Sequence, residues 1–210
     1  MSKIDAFEKY SEAYDRWFEE NDWIYKSELE AIRQLIPTEG EGLEVGMGTG
    51  RFAIPLGITI GVEPSPKMAD IARSRGLTVI HGVCESLPLN DESSDYILLV
   101  TTICFVDHPA KCLREIYRVL KPGGSVVIGF IDGSSELGKI YKAKKKESKF
   151  YSEAIFYTPH EIKDLLEAGG FREIESRQTI FRPLSEISSP EPVEEGYGRG
   201  SFVVIKGNKN

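Results

Sequence analysis

The chain has 210 residues, of which 40% are hydrophobic and 28% charged, a composition typical of globular proteins and not of disordered or fibrous ones. Its formal charge of −7 argues against nonspecific nucleic-acid binding, because a phosphate backbone attracts basic proteins. No apolar run approaches the length of a membrane span, and the first residues lack a signal-peptide pattern. We therefore expect one cytoplasmic domain that binds neither nucleic acid nor membrane.

The N-terminal segment, residues 1–37, is predicted to form a helical cap. Its aromatic residues recur at helical spacing and would form one face of an amphipathic helix: Phe7, Tyr10, Tyr14, Trp17 and Phe18. Tyrosine and tryptophan rings can stack on a substrate or face a cation. We hypothesise that this segment covers a cofactor and contributes Tyr10, Tyr14 and Trp17 to a substrate pocket. The alternative is that the stripe only packs on the domain.

Residues 42–131 alternate short β-branched runs with amphipathic segments, a pattern typical of βαβ units and a parallel sheet. The predicted strands are residues 43–46, 59–62, 77–80, 96–100 and 125–130. Ser65-Pro66 and Thr158-Pro159 are N-cap and first-turn signals for two of the helices. Two later strand-like runs, residues 172–179 and 201–205, have no predicted helix between them and should pair antiparallel.

A glycine-rich turn follows the first predicted strand. Residues 43–50 read Leu-Glu-Val-Gly-Met-Gly-Thr-Gly, and glycines there let a ligand approach the backbone. The next strand ends at Glu63, where a carboxylate can accept hydrogen bonds from a ribose diol. A nicotinamide-dependent oxidoreductase shares these features, but Arg51 stands where its fingerprint needs a third glycine.

Several segments together resemble the class I S-adenosylmethionine-dependent methyltransferases of the small-molecule type. The segments that carry the resemblance are residues 43–50, 61–65, 82–89, 94–96 and 113–124. The resemblance implies an α/β fold: a Rossmann-like, doubly wound, seven-stranded sheet, mostly parallel, with a C-terminal antiparallel hairpin over residues 171–207. It implies a single domain over residues 1–210, with the cofactor-binding core in residues 42–131.

The resemblance also implies S-adenosyl-L-methionine as the cofactor and assigns residues to it. Glu44 and the backbone of Gly46, Met47 and Gly48 would hold the methionine end, Glu63 the ribose hydroxyls, and Cys84 and Glu85 the adenine. Thr101 would face the methionine portion, and Gly50 and Pro64 would complete the cofactor site. Val83 departs from the pattern, because many relatives have aspartate there.

The remaining features concern the acceptor and its chemistry. Residues 101–104 lack the tetrad of enzymes that methylate amines on bases or glutamine amides, so we expect a small-molecule acceptor. The resemblance implies methyl transfer by in-line displacement. His108 is a candidate general base, with a surface or cap histidine as the alternative. Residues 133–157 are either a lid or a solvated surface segment. A non-catalytic cofactor-binding module is the other alternative.

The three cysteines, Cys84, Cys104 and Cys112, are widely spaced, which favours reduced buried thiols. No spacing of cysteine and histidine indicates a metal site, so none is predicted. Nothing in the sequence indicates an oligomeric state.

Overall fold

The computed structural model describes residues 3–210, and its centre is one mixed sheet of eight strands. The strands are β1 Gly42–Val45, β2 Ile60–Val62, β3 Thr78–Ile80, β4 Ser94–Val100, β5 Leu120–Ile131, β6 Arg172–Thr179, β7 Glu194–Glu195 and β8 Phe202–Asn208. Their order is β3-β2-β1-β4-β5-β8-β6-β7. The first five pair in parallel, and β8 lies antiparallel between β5 and β6.

The sheet confirms the predicted doubly wound fold but corrects its strand number from seven to eight. The additional strand, β7, pairs Glu194 and Glu195 with Gln178 and Arg177 of β6. It contains only two residues, too few to show an alternating pattern in the sequence. The predicted hairpin is present as the antiparallel pair of β6 and β8.

Seven α-helices accompany the sheet within the described residues. They are α1 Asp5–Lys9, α2 Ser11–Glu20, α3 Asp22–Arg33, α4 Pro66–Ser74, α5 Pro109–Val119, α6 Glu136–Ala143 and α7 Pro159–Ala168. Ser65 caps α4 through the Met68 amide, and Thr158 with Glu161 forms a capping box on α7. Of the helices in residues 3–210, none has the length and apolar character needed to cross a membrane.

The N-terminal aromatic stripe spans two helices, whereas the sequence pattern predicts a single one. The backbone leaves helical geometry at Tyr10, with φ −122° and ψ 28°, so Phe7 lies on α1 and Tyr14 on α2. The break lets α1 follow the protein surface, where the Glu8 carboxylate accepts hydrogen bonds from the Ser65 hydroxyl and the Lys67 amide.

Apolar side chains form a core on each face of the sheet, as expected for strands covered by helices on both sides. Leu98 of β4 points to the face covered by α2 and α3, which contribute Phe18 and Ile32. Its neighbours Ile97 and Leu99 point to the opposite face, covered by α5 and α7. The N-terminal helices are therefore partly integral to the domain core.

The cysteines correct the expectation of three reduced thiols. Cys84, in the loop after β3, is disulfide-bonded to Cys112 of α5, with a Cα–Cα distance of 4.8 Å. Cys104 is free and buried. The bonded pair is 28 residues apart in the chain, and only the packing of α5 beside this loop brings them together.

Candidate active site

The site lies at the carboxyl ends of the parallel strands. The chain enters the sheet at β1 and extends through β2 and β3 on one side and β4 and β5 on the other. A crevice opens beyond the strand ends at such a switch point, where open α/β sheets bind ligands. Here it forms a cavity of about 170 Å³. The predicted cofactor residues that line it are Gly46, Gly48, Glu63, Pro64, Cys84, Glu85 and Thr101.

The glycine loop has backbone angles that favour glycine. Gly46 and Gly48 have φ values of +71° and +58°. A Cβ atom on Gly46 would overlap Thr102, whereas one on Gly48 would lie 3.6 Å from the Tyr14 ring. Gly46 is therefore required by packing as well as by φ, and Gly48 leaves its backbone open toward the cavity.

Glu63 is a buried carboxylate at the end of β2, with 6% of its surface exposed. It accepts hydrogen bonds of 2.8 Å from the amides of Gly48 and Ser65. Burial raises the pKa of Glu63, although these two hydrogen bonds oppose that effect. A carboxylate has roughly four acceptor positions, so Glu63 retains capacity to accept hydrogen bonds from a ligand diol.

Three of the predicted cofactor residues lie outside the lining of this cavity. Met47 packs against Gly61, and a Cβ atom on Gly50 would overlap Leu77. Glu44 is 2% exposed, and its Oε2 atom has no hydrogen-bond partner among residues 3–210. Burial and the neighbouring Glu63 raise the pKa of Glu44 well above its ordinary value. The glycines of this loop therefore differ in role: Gly46 and Gly48 line the cavity, whereas Gly50 allows the loop to pack against Leu77.

The adenine-segment residues have structural partners of their own. The Glu85 carboxylate accepts hydrogen bonds from the amides of Asp107 and His108 at 2.9 and 3.2 Å. Cys84 is engaged in the disulfide, which leaves its backbone groups for a ligand. Val83 lines the cavity and is 42% exposed.

His108 lies outside this cavity and outside a second cavity that adjoins it. It occupies the N-cap position of α5, makes no side-chain cap hydrogen bond, and is exposed. Of the predicted substrate residues, Tyr10 also lies outside them, with its ring 6.3 Å from that of Phe150. Tyr14 and Trp17 line the second cavity.

This second cavity, which we call the aromatic cavity, has a volume of about 480 Å³ and adjoins the first. Its wall includes rings from the N-terminal helices, the loops after β1 and β4, and residues 133–157: Phe7, Tyr14, Trp17, Phe18, Phe52, Phe105, Tyr141, Phe150 and Tyr151. Tyr151 stacks between Phe105 and Tyr141, with centroid distances of 6.0 and 5.1 Å. Only the N-terminal rings of this cluster are predicted from the sequence.

Four residues line both cavities and form the wall between them: Phe7, Tyr14, Thr101 and Phe105. Burial, with the charges of Glu44 and Glu63, raises the Tyr14 pKa, and the neighbouring Thr101 side chain opposes this shift. Thr101 has φ +48°, a conformation that is costly for a β-branched residue. The sequence gives no signal of that strain.

A charged cluster fixes α2 against the glycine loop. The Asp15 carboxylate accepts hydrogen bonds from Thr49, Arg51 and Arg75 at 2.6 to 2.8 Å. Burial tends to raise the Asp15 pKa, but the bonds from Arg75 and Arg51 outweigh burial and lower it. Because Asp15 follows Tyr14 in the helix, this cluster positions the Tyr14 ring between the cavities.

Glu28 is a lining residue that sequence analysis missed. It lies on α3 in the wall of the aromatic cavity and is 5% exposed. Its spacing four residues from both Ile24 and Ile32 places it on the apolar face of the helix. A carboxylate within an apolar stripe is the sequence signal that could have identified it.

Comparisons with known proteins identify the family. A family model described as a methyltransferase domain matches residues 43–128. The chain is 51% identical to a SAM-dependent methyltransferase from Thermotoga maritima, described as a possible histamine N-methyltransferase. The two structures superpose with a TM-score of 0.96 over 99% of this chain and 100% of that one. The chain belongs to the SAM-dependent methyltransferases.

Two further relatives extend this result. An uncharacterized protein from Methanocaldococcus jannaschii is 48% identical over 206 residues, 98% of this chain and 100% of its own length. Phosphoethanolamine N-methyltransferase 2 from Haemonchus contortus, in complex with S-adenosyl-L-methionine, has 18% identity and a TM-score of 0.63, with 88% of this chain and 52% of that chain covered. At that identity the likeness shows the fold alone.

Membership of this family decides between the enzyme classes that share a glycine loop and a ribose carboxylate. The methyltransferase uses S-adenosylmethionine, and the nicotinamide-dependent alternative is set aside. In the smaller cavity, Glu63 accepts one hydrogen bond on each carboxylate oxygen and keeps the further acceptor positions that a ribose diol would require.

Proposed function

We propose that the methyltransferase transfers a methyl group to a small molecule bound in the aromatic cavity. The observation that supports this most directly is the wall shared by the two cavities, formed by Phe7, Tyr14, Thr101 and Phe105. An acceptor in one cavity and a cofactor in the other would meet at this wall.

The residues that would hold the cofactor follow from the lining of the smaller cavity. The backbone of Gly46 and Gly48 would contact the amino-acid portion, Glu63 the ribose, and the backbone near Cys84 and Glu85 the adenine. The cofactor supplies a methyl group on a sulfonium, which a nucleophile takes by in-line displacement. The protein contributes alignment and the exclusion of water, which can supply much of the acceleration.

The acceptor side would be closed by residues 133–157, our candidate lid. Leu137, Ile140 and Tyr141 of this segment line the aromatic cavity, as do Phe150 and Tyr151. His108 lines neither cavity, and the proposal gives it no role. The description of the Thermotoga maritima relative as a possible histamine N-methyltransferase supports an amine-bearing acceptor here.

Cofactor binding is tested by thermal denaturation with S-adenosylhomocysteine and with NAD. A ligand at about 100 times its Kd stabilises the folded state by roughly 2.7 kcal/mol, so S-adenosylhomocysteine should raise the Tm and NAD should not. Glu63→Ala should weaken S-adenosylhomocysteine binding by roughly 1.5 to 3 kcal/mol, the range for hydrogen bonds to a charged group. Glu39→Ala, an exposed carboxylate before β1, is the matched control.

Methyl transfer is tested by a screen with labelled S-adenosylmethionine against amines, alcohols and carboxylic acids. Turnover of an acceptor that is lost in Trp17→Ala would support the proposal. Full cofactor affinity of Glu63→Ala would contradict the cofactor site, and cofactor binding without turnover of any acceptor would favour the non-catalytic alternative.

A further inference from the structure

Glu28 is a carboxyl group in an otherwise apolar part of the aromatic cavity. It lies on the face of α3 that enters the core, between Ile24 and Ile32, yet it reaches the cavity wall. Across residues 3–210, no side chain or backbone amide hydrogen-bonds to its carboxylate or forms an ion pair with it. A buried ionised group without a partner is costly, which makes this position unusual for glutamate.

The surroundings of Glu28 contain no buried cation. The ionisable residues that line the same cavity within the described chain are Tyr14, Tyr141, Lys144, Glu147 and Tyr151. Of these, Lys144 and Glu147 are exposed, and the other three are tyrosines. Burial raises the pKa of Glu28 to about 8, which favours the protonated carboxyl at neutral pH. No buried cation among the described lining residues compensates the negative charge that Glu28 carries when it ionises.

The rings around the carboxyl also favour positive charge. Tyr14, Trp17, Tyr141 and Tyr151 line the cavity together with Glu28. The faces of such rings attract ammonium groups, most strongly where water is excluded. A carboxylate and several aromatic faces in one cavity are complementary to a cationic amine and unfavourable for an anion.

We propose that Glu28 determines acceptor specificity by forming an ion pair with a cationic amino group of the acceptor. The inference rests on the proposed function of the aromatic cavity and specifies its substrate class as amines. Glu28 lines the aromatic cavity but not the cofactor cavity, so the ion pair is a binding contact. No proton transfer from the acceptor to Glu28 forms part of the proposal.

The test compares three probes of similar shape that differ in charge: 2-phenylethylamine, 2-phenylethanol and 3-phenylpropionate. Each is titrated into the protein with and without S-adenosylhomocysteine. We expect the amine to bind at least tenfold more tightly than the alcohol, and the carboxylate more weakly than either. Glu28→Gln, which keeps the shape and removes the charge, should weaken amine binding at least tenfold and change alcohol binding less than threefold.

A proton measurement gives a second readout that does not depend on turnover. Because a pKa of about 8 keeps the Glu28 carboxyl protonated at pH 6.5, ion pairing with an ammonium should release close to one proton. Calorimetric titrations in buffers of different ionisation enthalpy measure this release, which should be absent in Glu28→Gln. Glu30→Gln, an exposed carboxylate on the same helix, is the matched control and should behave as the wild type.

The results separate this inference from the proposed function. Equal binding of amine and alcohol, equal losses of both in Glu28→Gln, or no binding of any probe would overturn the role of Glu28, while intact cofactor binding would leave the proposed function standing. Failure of S-adenosylhomocysteine to bind would contradict the proposed cofactor site instead, and the titrations without it would still test Glu28.

Discussion

At the residue scale, Glu28 links acceptor binding to the stability of the fold. Its pKa is about 8 in the folded protein and near 4.5 in an unfolded chain. Between these pH values the folded state holds a proton that the unfolded state has lost. The free energy of unfolding therefore falls as the pH rises from about 4.5 to 8, because ionising the buried carboxyl without a partner is unfavourable.

The predicted consequence is that Glu28→Gln stabilises the protein at alkaline pH. The gain over the wild type should be small at pH 4.5 and reach the order of a few kcal/mol by pH 8.5, because a one-unit pKa shift corresponds to about 1.36 kcal/mol. Glu44 and Glu63 also have raised pKa values, but their effects are the same in both proteins and cancel in the difference. Denaturant unfolding of both proteins from pH 4.5 to 9 measures the difference in their free energies of unfolding. A pH-independent difference would show that Glu28 is ionised in the folded state.

At the element scale, the disulfide ties the loop after β3 to α5, directly beneath the predicted adenine site. Cys84 and Cys112 close a loop of 28 residues, for which the chain-entropy model gives a stabilisation of roughly 3 to 4 kcal/mol. Reduction should lower the Tm of the wild type to that of Cys112→Ser. The reductant should leave the Tm of Cys112→Ser itself unchanged.

Thiol titration of the unfolded protein provides the complementary measurement for the disulfide. It should detect one free thiol, that of Cys104, before reduction and three afterwards. Three reactive thiols in the untreated protein would support the original expectation of reduced cysteines.

At the scale of the whole molecule, local sequence signals predicted the elements and tertiary packing determined the rest. The alternation of β and α segments predicted the parallel part of the sheet, and Ser65-Pro66 and Thr158-Pro159 correctly mark the starts of α4 and α7. The two-residue β7, the break at Tyr10 and the pairing of Cys84 with Cys112 depend on contacts between distant segments. The hydrophobic periodicity of a sequence does not reveal such long-range contacts.

The same division holds for the candidate site. The glycine loop and Glu63 were predictable because their chemistry is local: a turn at the end of one strand and a carboxylate at the end of the next. Glu28, Phe105 and Tyr151 meet only when three separate segments pack around one cavity. Their functional relation could not be inferred from spacing, although Glu28 itself interrupts an apolar stripe.

The helix α1 connects the cofactor site to the rest of the molecule and provides a test of the N-terminal cap. Lys3 and Phe7 line the cofactor cavity, and Lys3 forms a 2.8 Å ion pair with Asp107 beyond β4. Glu8 bonds to Ser65 and Lys67 at the start of α4. The segment therefore crosses the cavity from one side to the other, while α1 itself contributes no buried residue.

Deleting residues 1–9 should therefore weaken cofactor binding more than folding. Deleting residues 1–20 is a less clean experiment, because it also removes Phe18, which is 5% exposed, and truncation of a core phenylalanine costs about 3 to 5 kcal/mol. For the shorter deletion we expect a small change in Tm, at least a tenfold loss of S-adenosylhomocysteine affinity, and loss of methyl transfer. The full-length double variant Lys3→Gln, Glu8→Gln removes the polar contacts and keeps Phe7. Its affinity for S-adenosylhomocysteine should lie between that of the wild type and that of the deletion variant. An unfolded deletion variant would make α1 part of the structural core, and one with full cofactor affinity would remove it from the site.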